Sequence, residues 1–505
     1  MRQGNITPDN TEFVYLSFEG PDRYSSAGGL GVRASNISDT LASMGFPTHL
    51  FFIGAPEFDG EEARHEGKLI LHRWCQWISR YYPNGVYEGE NEKLYDFNES
   101  IPHFVKDRVI KPAVGQGKLV VVLGEEWHTA EAMCHLADIL KGDGLQDKVV
   151  MFWNANNIFS FHRIDWKKLS HNATITTVSR YMKHIMWKMG VNPLVIPNGI
   201  PRCLLRKVDV KIAGKVRQSF GADLVLCKVA RWDPDKRWNM AVEAIAQLKE
   251  RGMKTLLLAR GGMEPHGLEV MRNASSLGLT VKEARLKSNP CNGYLAALQE
   301  ARLEPNSCNG YLAALREAAS ADVIDIKFGL PLDFLRFLFR AADGVLANSG
   351  HEPFGLVGLE SMAVGGITFT GCTGEDYAIP FVNSFALETS DPMEIVGYMT
   401  YLQQHPVECE RIRKAARQTA RYFTWETSLK NLISKLENQA RIRGILAGKP
   451  LIPAPERVID DPTLSPPRQQ VRVADALFTE ARFGEQHSNI PQTLKSPERL
   501  TSQMR

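Results

Sequence analysis

Short β-branched and apolar runs alternate with amphipathic helical stretches along most of this chain, and no other feature restricts its fold as much. Such alternation builds βαβ units, and these stack into parallel sheets with helices on both faces. The fold class is therefore α/β. In the first half, strands are predicted at 13–18, 48–53, 119–123, 149–153, 174–178 and 194–196, with a helix over 35–44 that Gly45 ends. The rhythm restarts with strands at 224–229, 255–259, 323–328, 344–347 and 367–370. The turn Pro197-Asn198-Gly199, followed by Pro201, separates the two series.

A chain of 505 residues exceeds one ordinary hydrophobic core. The reading is an N-terminal domain over 1–200, a second domain over 201–420, a helix at 421–448 and a flexible proline-rich tail at 449–505. Within the second domain, a 17-residue period repeats C-N-G-Y-L-A-A-L, so that residues 283–316 form a tandem duplication. It is read as an insert on the flank of the sheet, with no catalytic role.

Sixty basic against fifty-seven acidic residues leave a formal charge of +3, which excludes the basic footprint of a nucleic-acid partner. No run reaches the ~18 apolar residues of a membrane span, and the first ten residues lack a signal-peptide pattern. A cytoplasmic location is expected. The basic helix around Arg180, Lys183 and Lys188 is read as a solvated edge in preference to a peripheral membrane contact. The eight cysteines show no metal-ligand spacing and are read as small apolar fillers.

Four strand–loop–helix junctions carry the chemistry. In His351-Glu352-Pro353-Phe354-Gly355-Leu356-Val357-Gly358-Leu359-Glu360, seven residues separate a loop carboxylate from a helix carboxylate, so one ligand with two sets of hydroxyls can span them. In Ala230-Arg231-Trp232-Asp233-Pro234-Asp235-Lys236-Arg237, Arg231 and Lys236 project from one loop, a combination suited to a diphosphate leaving group. The glycines of Ala27-Gly28-Gly29-Leu30-Gly31 let backbone approach a ligand, yet the loop has neither the G-x-G-x-x-G spacing nor a P-loop lysine. The fourth junction is Glu125-Glu126-Trp127-His128, and a polar segment with Asn154, Asn156 and His162 follows the next strand.

E-P-F-G-L-V-G-L-E resembles the Glu-x-seven-Glu signature of the GT-B glycosyltransferases related to glycogen synthase and sucrose synthase. R-W-D-P-D-K resembles their diphosphate loop, although Ala230 and Arg237 stand where that motif has glycines. G-G-L-G and E-W-H-T match further motifs of the same group, and the resemblance covers roughly residues 13–440 outside the duplication.

The resemblance implies two Rossmann-like domains facing an interdomain cleft, and a retaining transfer that needs no metal or cofactor. It implies that Glu352 meets the donor sugar and Glu360 the ribose, while Phe354, Gly355 and Leu356 give backbone contacts. Gly28, Gly29 and Arg33 would face the donor phosphates with Arg231 and Lys236. His128, as a catalytic or acceptor group, would join Glu126, Trp127, Asn154, Asn156 and His162 on the acceptor side. Glu125 stands where the relatives have a histidine beside the reacting sugar, so acceptor or mechanism can differ there. The alternatives are a nucleotide-sugar epimerase or phosphorylase on the same architecture, or a catalytically silent sugar-nucleotide-binding protein.

Overall fold

The computed structural model describes residues 4–286, 308–371 and 374–450. Its first sheet is built from β1 (Thr11–Leu16), β2 (Thr48–Ile53), β3 (Glu61–Arg64), β4 (Leu69–Trp74), β5 (Leu119–Glu125), β6 (Val149–Ala155), β7 (Thr174–Thr177) and β8 (Leu194–Val195). The strand order is β3-β4-β2-β1-β5-β6-β7-β8, parallel except for the antiparallel edge strand β3. Its central strands are buried on both faces, which explains why β5 reads as an unbroken apolar run.

The second sheet comprises β9 (Leu224–Val229), β10 (Thr255–Arg260), β11 (Val281–Ala284), β12 (Val323–Ile326), β13 (Gly344–Ala347), β14 (Thr368–Thr370) and β15 (Phe385–Ala386). Its order is β11-β12-β10-β9-β13-β14-β15, with every pairing parallel. Both sheets are α/β, as the alternation predicts. Each reverses its strand order once beside its first strand: β1 lies between β2 and β5, and β9 between β10 and β13. At such a reversal, neighbouring loops diverge and leave a crevice at the carboxyl edge.

Four strands escape the sequence reading, one of them the two-residue edge strand β15. β4 is buried, but His72 and Arg73 interrupt its apolar run; β3 and β11 are short edge strands rich in charge. The duplication also differs from the flank insert expected over 283–316. Glu283 and Ala284 of the first copy end β11, while the helix Cys308–Ala318 of the second copy makes the crossover to β12. Leu315 is fully buried there, and the Tyr311 ring lies 5.3 Å from that of Phe334. The second copy therefore belongs to the domain core. Residues 287–307, with most of the first copy, lie outside the described residues, as does the predicted tail beyond residue 450.

Both sheets belong to one compact unit, Met1–Ile459. The helix Trp425–Ile442 buries Trp425, Leu429, Leu432 and Leu436 in the core beneath β1 and β2. The two connections between the domains touch: Ile200 N–H donates to Phe423 O at 2.9 Å and Trp425 N–H to Ile200 O at 3.3 Å. Gly199 permits this, since a Cβ there would sit 2.4 Å from the Trp425 nitrogen. Arg180, read as a solvated edge residue, is exposed and also pairs across the domains with Asp376 at 3.1 Å.

Candidate active site

All four chemical junctions fall at the two reversals of strand order. In the first sheet, the glycine loop follows β1 and Glu126-Trp127-His128 follows β5; in the second, the Arg231–Lys236 loop follows β9 and the Glu352 loop follows β13. Within each sheet the fold therefore brings to one edge loops that are far apart in sequence.

The two loops of the second domain interlock. Lys236 Nζ stands 3.5 Å from Glu352 Oε2, so the predicted phosphate cation and the predicted sugar carboxylate face each other. Gly350 N–H donates to Asp235 O at 2.8 Å, and His351 N–H to Asp235 Oδ1 at 3.0 Å. Arg231 is exposed, and its carbonyl is held by the Trp238 indole at 2.8 Å. Gly355, at φ +81°, caps the helix Leu356–Ala363. Phe354 turns inward, 5.5 Å ring to ring from Tyr377, whose hydroxyl donates to Gly355 O. Phe354 is therefore left with its backbone alone to meet a ligand. Burial, and then the charge of Glu352, push the Glu360 carboxyl up to about 7.

The glycine loop is already engaged. Glu19 Oε2 accepts N–H bonds from Ala27 at 3.1 Å, Gly28 at 3.0 Å and Gly31 at 3.0 Å, so a carboxylate of the chain sits at the start of the helix Gly29–Ser43. Its other oxygen accepts from the Tyr87 hydroxyl at 2.5 Å. Arg33, expected at the donor phosphates, is turned into the domain. Its guanidinium is 3% exposed, bonded to Glu125 at 3.0 Å and to Asn198. Glu125, which the resemblance sets in place of a histidine, also receives bonds from Tyr15, Asn154 and Asn156, and these fix it as part of the domain's interior.

The acceptor-side residues separate into two groups. His128 is buried, its Nε2 2.8 Å from Glu90 Oε1, and it stacks on Phe18 at 4.3 Å and Trp127 at 3.9 Å. Burial lowers its pKa, so the ring favours the neutral form. Glu126 is held at φ +65°, a strained conformation for a residue with a side chain. Its carboxyl accepts from the amides of Asn156 and Asn157, and burial pushes it up to about 8. The side-chain amides of Asn154 and Asn156 are turned toward Glu125, and His162 is exposed on a separate turn outside this cluster.

Glu19, Tyr87 and Glu90 were missed by the sequence reading, as was Arg163, whose guanidinium lies 4.1 Å over the Trp127 ring. Only Glu19 left a signal, an acid placed between a strand and a glycine loop.

No protein-family model matches the chain. A stretch of 117 residues, 21% of the chain, is 32% identical to a GDP-mannose-dependent alpha-(1-6)-phosphatidylinositol dimannoside mannosyltransferase of Mycobacterium tuberculosis, and the match spans 30% of that protein. Among solved structures, sucrose-phosphate synthase from Thermosynechococcus elongatus aligns over 85% of this chain and 98% of its own, with TM-score 0.60 and 16% identity. The chain takes the GT-B fold. Two more GT-B neighbours agree: the catalytic domain of starch synthase IV from Arabidopsis thaliana, bound to ADP and acarbose, and Anabaena HepE with UDP-glucose. The first has TM-score 0.57 at 15% identity over 85% of this chain and 99% of the neighbour; the second has 0.54 at 15% over 84% and 99%. Among the described residues, no helix is long and apolar enough to cross a membrane.

Proposed function

We propose that this GT-B chain is a cytoplasmic glycosyltransferase that moves a sugar from a nucleoside diphosphate sugar to a hydroxyl acceptor, with retention and without a metal. The facing pair Lys236–Glu352 at the carboxyl edge of β9 and β13 carries this reading. In it, Lys236 and Arg231 take the diphosphate as negative charge develops, and Glu352 lies beside the sugar where positive charge grows. Asp233 and Asp235 form the one D-x-D pair near the site. Both are engaged within the loops, Asp233 by the Asp235 amide at 2.9 Å and Asp235 by His351, which supports charge neutralisation by side chains. The departing phosphate takes the acceptor proton on the same face of the sugar.

Neutral His128 and protonated Glu126 serve the acceptor side, orienting hydroxyls. Domain hinging at the touching segments near residues 200 and 424 excludes water during transfer.

UDP-, GDP- and ADP-sugars are to be screened by thermal shift, and the stabilising donor is then incubated with candidate sugar acceptors in EDTA. Transfer with the anomeric configuration kept is the expected result. A donor that is epimerised without acceptor, or bound and never consumed, would overturn it.

A further inference from the structure

The donor reading leaves one buried charge unused. Lys228, on β9, is 1% exposed, and a lysine in a parallel sheet carries a desolvation cost that a methionine of similar volume avoids. Its ammonium makes no ion pair among the described residues. It donates to Asn348 Oδ1 and, at 3.3 Å, to Leu346 O, and it lies 5.2 Å over the Trp238 ring. Each contact ends at the stem of a donor loop. Asn348 begins the loop that carries Glu352, while Trp238 holds the Arg231 carbonyl of the other. The Asn348 side-chain amide in turn reaches Met240 Sδ at 3.6 Å on the helix behind.

We propose, resting on the donor reading above, that Lys228 is a positioning residue for the donor diphosphate: one buried ammonium braces the stems of both loops. Its surroundings supply a second signature. Burial, and then the positive charges of Lys236 and Arg237 against that of Glu352, bring Lys228 down to about 7. The helix behind presents uncharged Trp238 and Met240, and β13 presents neutral Asn348. A diphosphate arriving above the loops favours the charged form, so its binding draws a proton from solvent onto Lys228 Nζ.

The test uses the full chain, with UDP, GDP and ADP as probes, titrated calorimetrically at pH 7 in two buffers of different ionisation enthalpy. Wild type is compared with Lys228→Met, Asn348→Ala and the double variant, each checked for cooperative unfolding. The brace predicts at least tenfold weaker binding of the preferred nucleotide in each single variant. It predicts a double variant no weaker than the worse single, and a net proton uptake larger in wild type than in Lys228→Met. A folded Lys228→Met with wild-type affinity and uptake overturns it. If Lys228→Met does not fold, Asn348→Ala with wild-type affinity does the same. Wild type that binds none of the three nucleotides refutes the donor reading, and the brace with it.

Discussion

Glu19→Ala tests whether the chain's own carboxylate organises the glycine loop. The substitution removes one acceptor of three amide bonds and of the Tyr87 hydroxyl. Bonds to a charged group contribute about 1.5–3 kcal/mol each when fully buried. Here the loop is partly open, since a Cβ on Gly28 or Gly29 would meet nothing within 4 Å, so water can replace much of the loss. A helix-cap value is the better guide, and about 1–2 kcal/mol is expected. The unfolding temperature should fall by roughly 2–8 °C on the scaling for large domains. The three freed amides at a helix start then form an anion site that the native chain fills itself. Phosphate at about ten times its dissociation constant should return about 1.4 kcal/mol to the variant and little to wild type. Equal unfolding temperatures, or equal phosphate stabilisation of both proteins, would refute the reasoning.

Arg231→Ala and Lys236→Ala should each lower turnover roughly 10²–10³-fold, as loss of a transition-state donor does, and steady-state assays with near-normal rates would sink their assignment. Glu360→Gln should weaken nucleotide binding, while Glu352→Gln should slow single-turnover chemistry with nucleotide affinity kept. Since Glu360 is held up to about 7, the ionised acceptor is lost as pH falls through that value. Glu360→Gln keeps only the opposite, Lys228-linked rise in affinity toward low pH, so below pH 7 wild-type nucleotide affinity should fall relative to that of Glu360→Gln. The raised folded value also means that ionisation opposes folding as pH rises from the usual carboxylate range toward 7, so Glu360→Gln should unfold at a higher temperature than wild type at pH 8. Leu315→Ala should cost about 2–5 kcal/mol in denaturant unfolding, as a fully buried leucine does. Deletion of 291–307, which joins Pro290 to Cys308, should leave the fold and activity in place, as measured by circular dichroism and transfer rate.

The two parallel α/β sheets were legible because apolar periodicity reports burial and the strands flanking both reversals of order are buried runs, while the GT-B arrangement was implied by the motifs alone. What periodicity could not report is which polar groups the fold turns inward. Arg33 stands two residues beyond a glycine loop, and nothing local distinguishes a guanidinium aimed at a ligand from one reaching Glu125, 92 positions away. Lys228 is similar: within the apolar run of β9 it reads as a single interruption, and only the pairing with β13 brings Asn348 beside it. The duplication misled for the opposite reason. Two copies of one sequence read as an addition, whereas the chain places the start of one copy in β11 and the helix of the other before β12.

The contact between Ile200 and Thr424 means that the chain leaves its first domain and returns to it at one point, with the second domain strung between. On the ribosome this sets an order of events. The first domain's strands emerge early, yet Trp425, Leu429 and Leu432, which complete its core, follow only after the whole second domain has been made. Until then, the apolar surface beneath β1 and β2 is uncovered. The nascent N-terminal half should depend on chaperones for the interval needed to synthesise roughly 220 residues, about 10–45 s at the usual elongation rates. A stop codon before Trp425 should therefore yield an aggregating first domain, although every strand of its sheet has been translated.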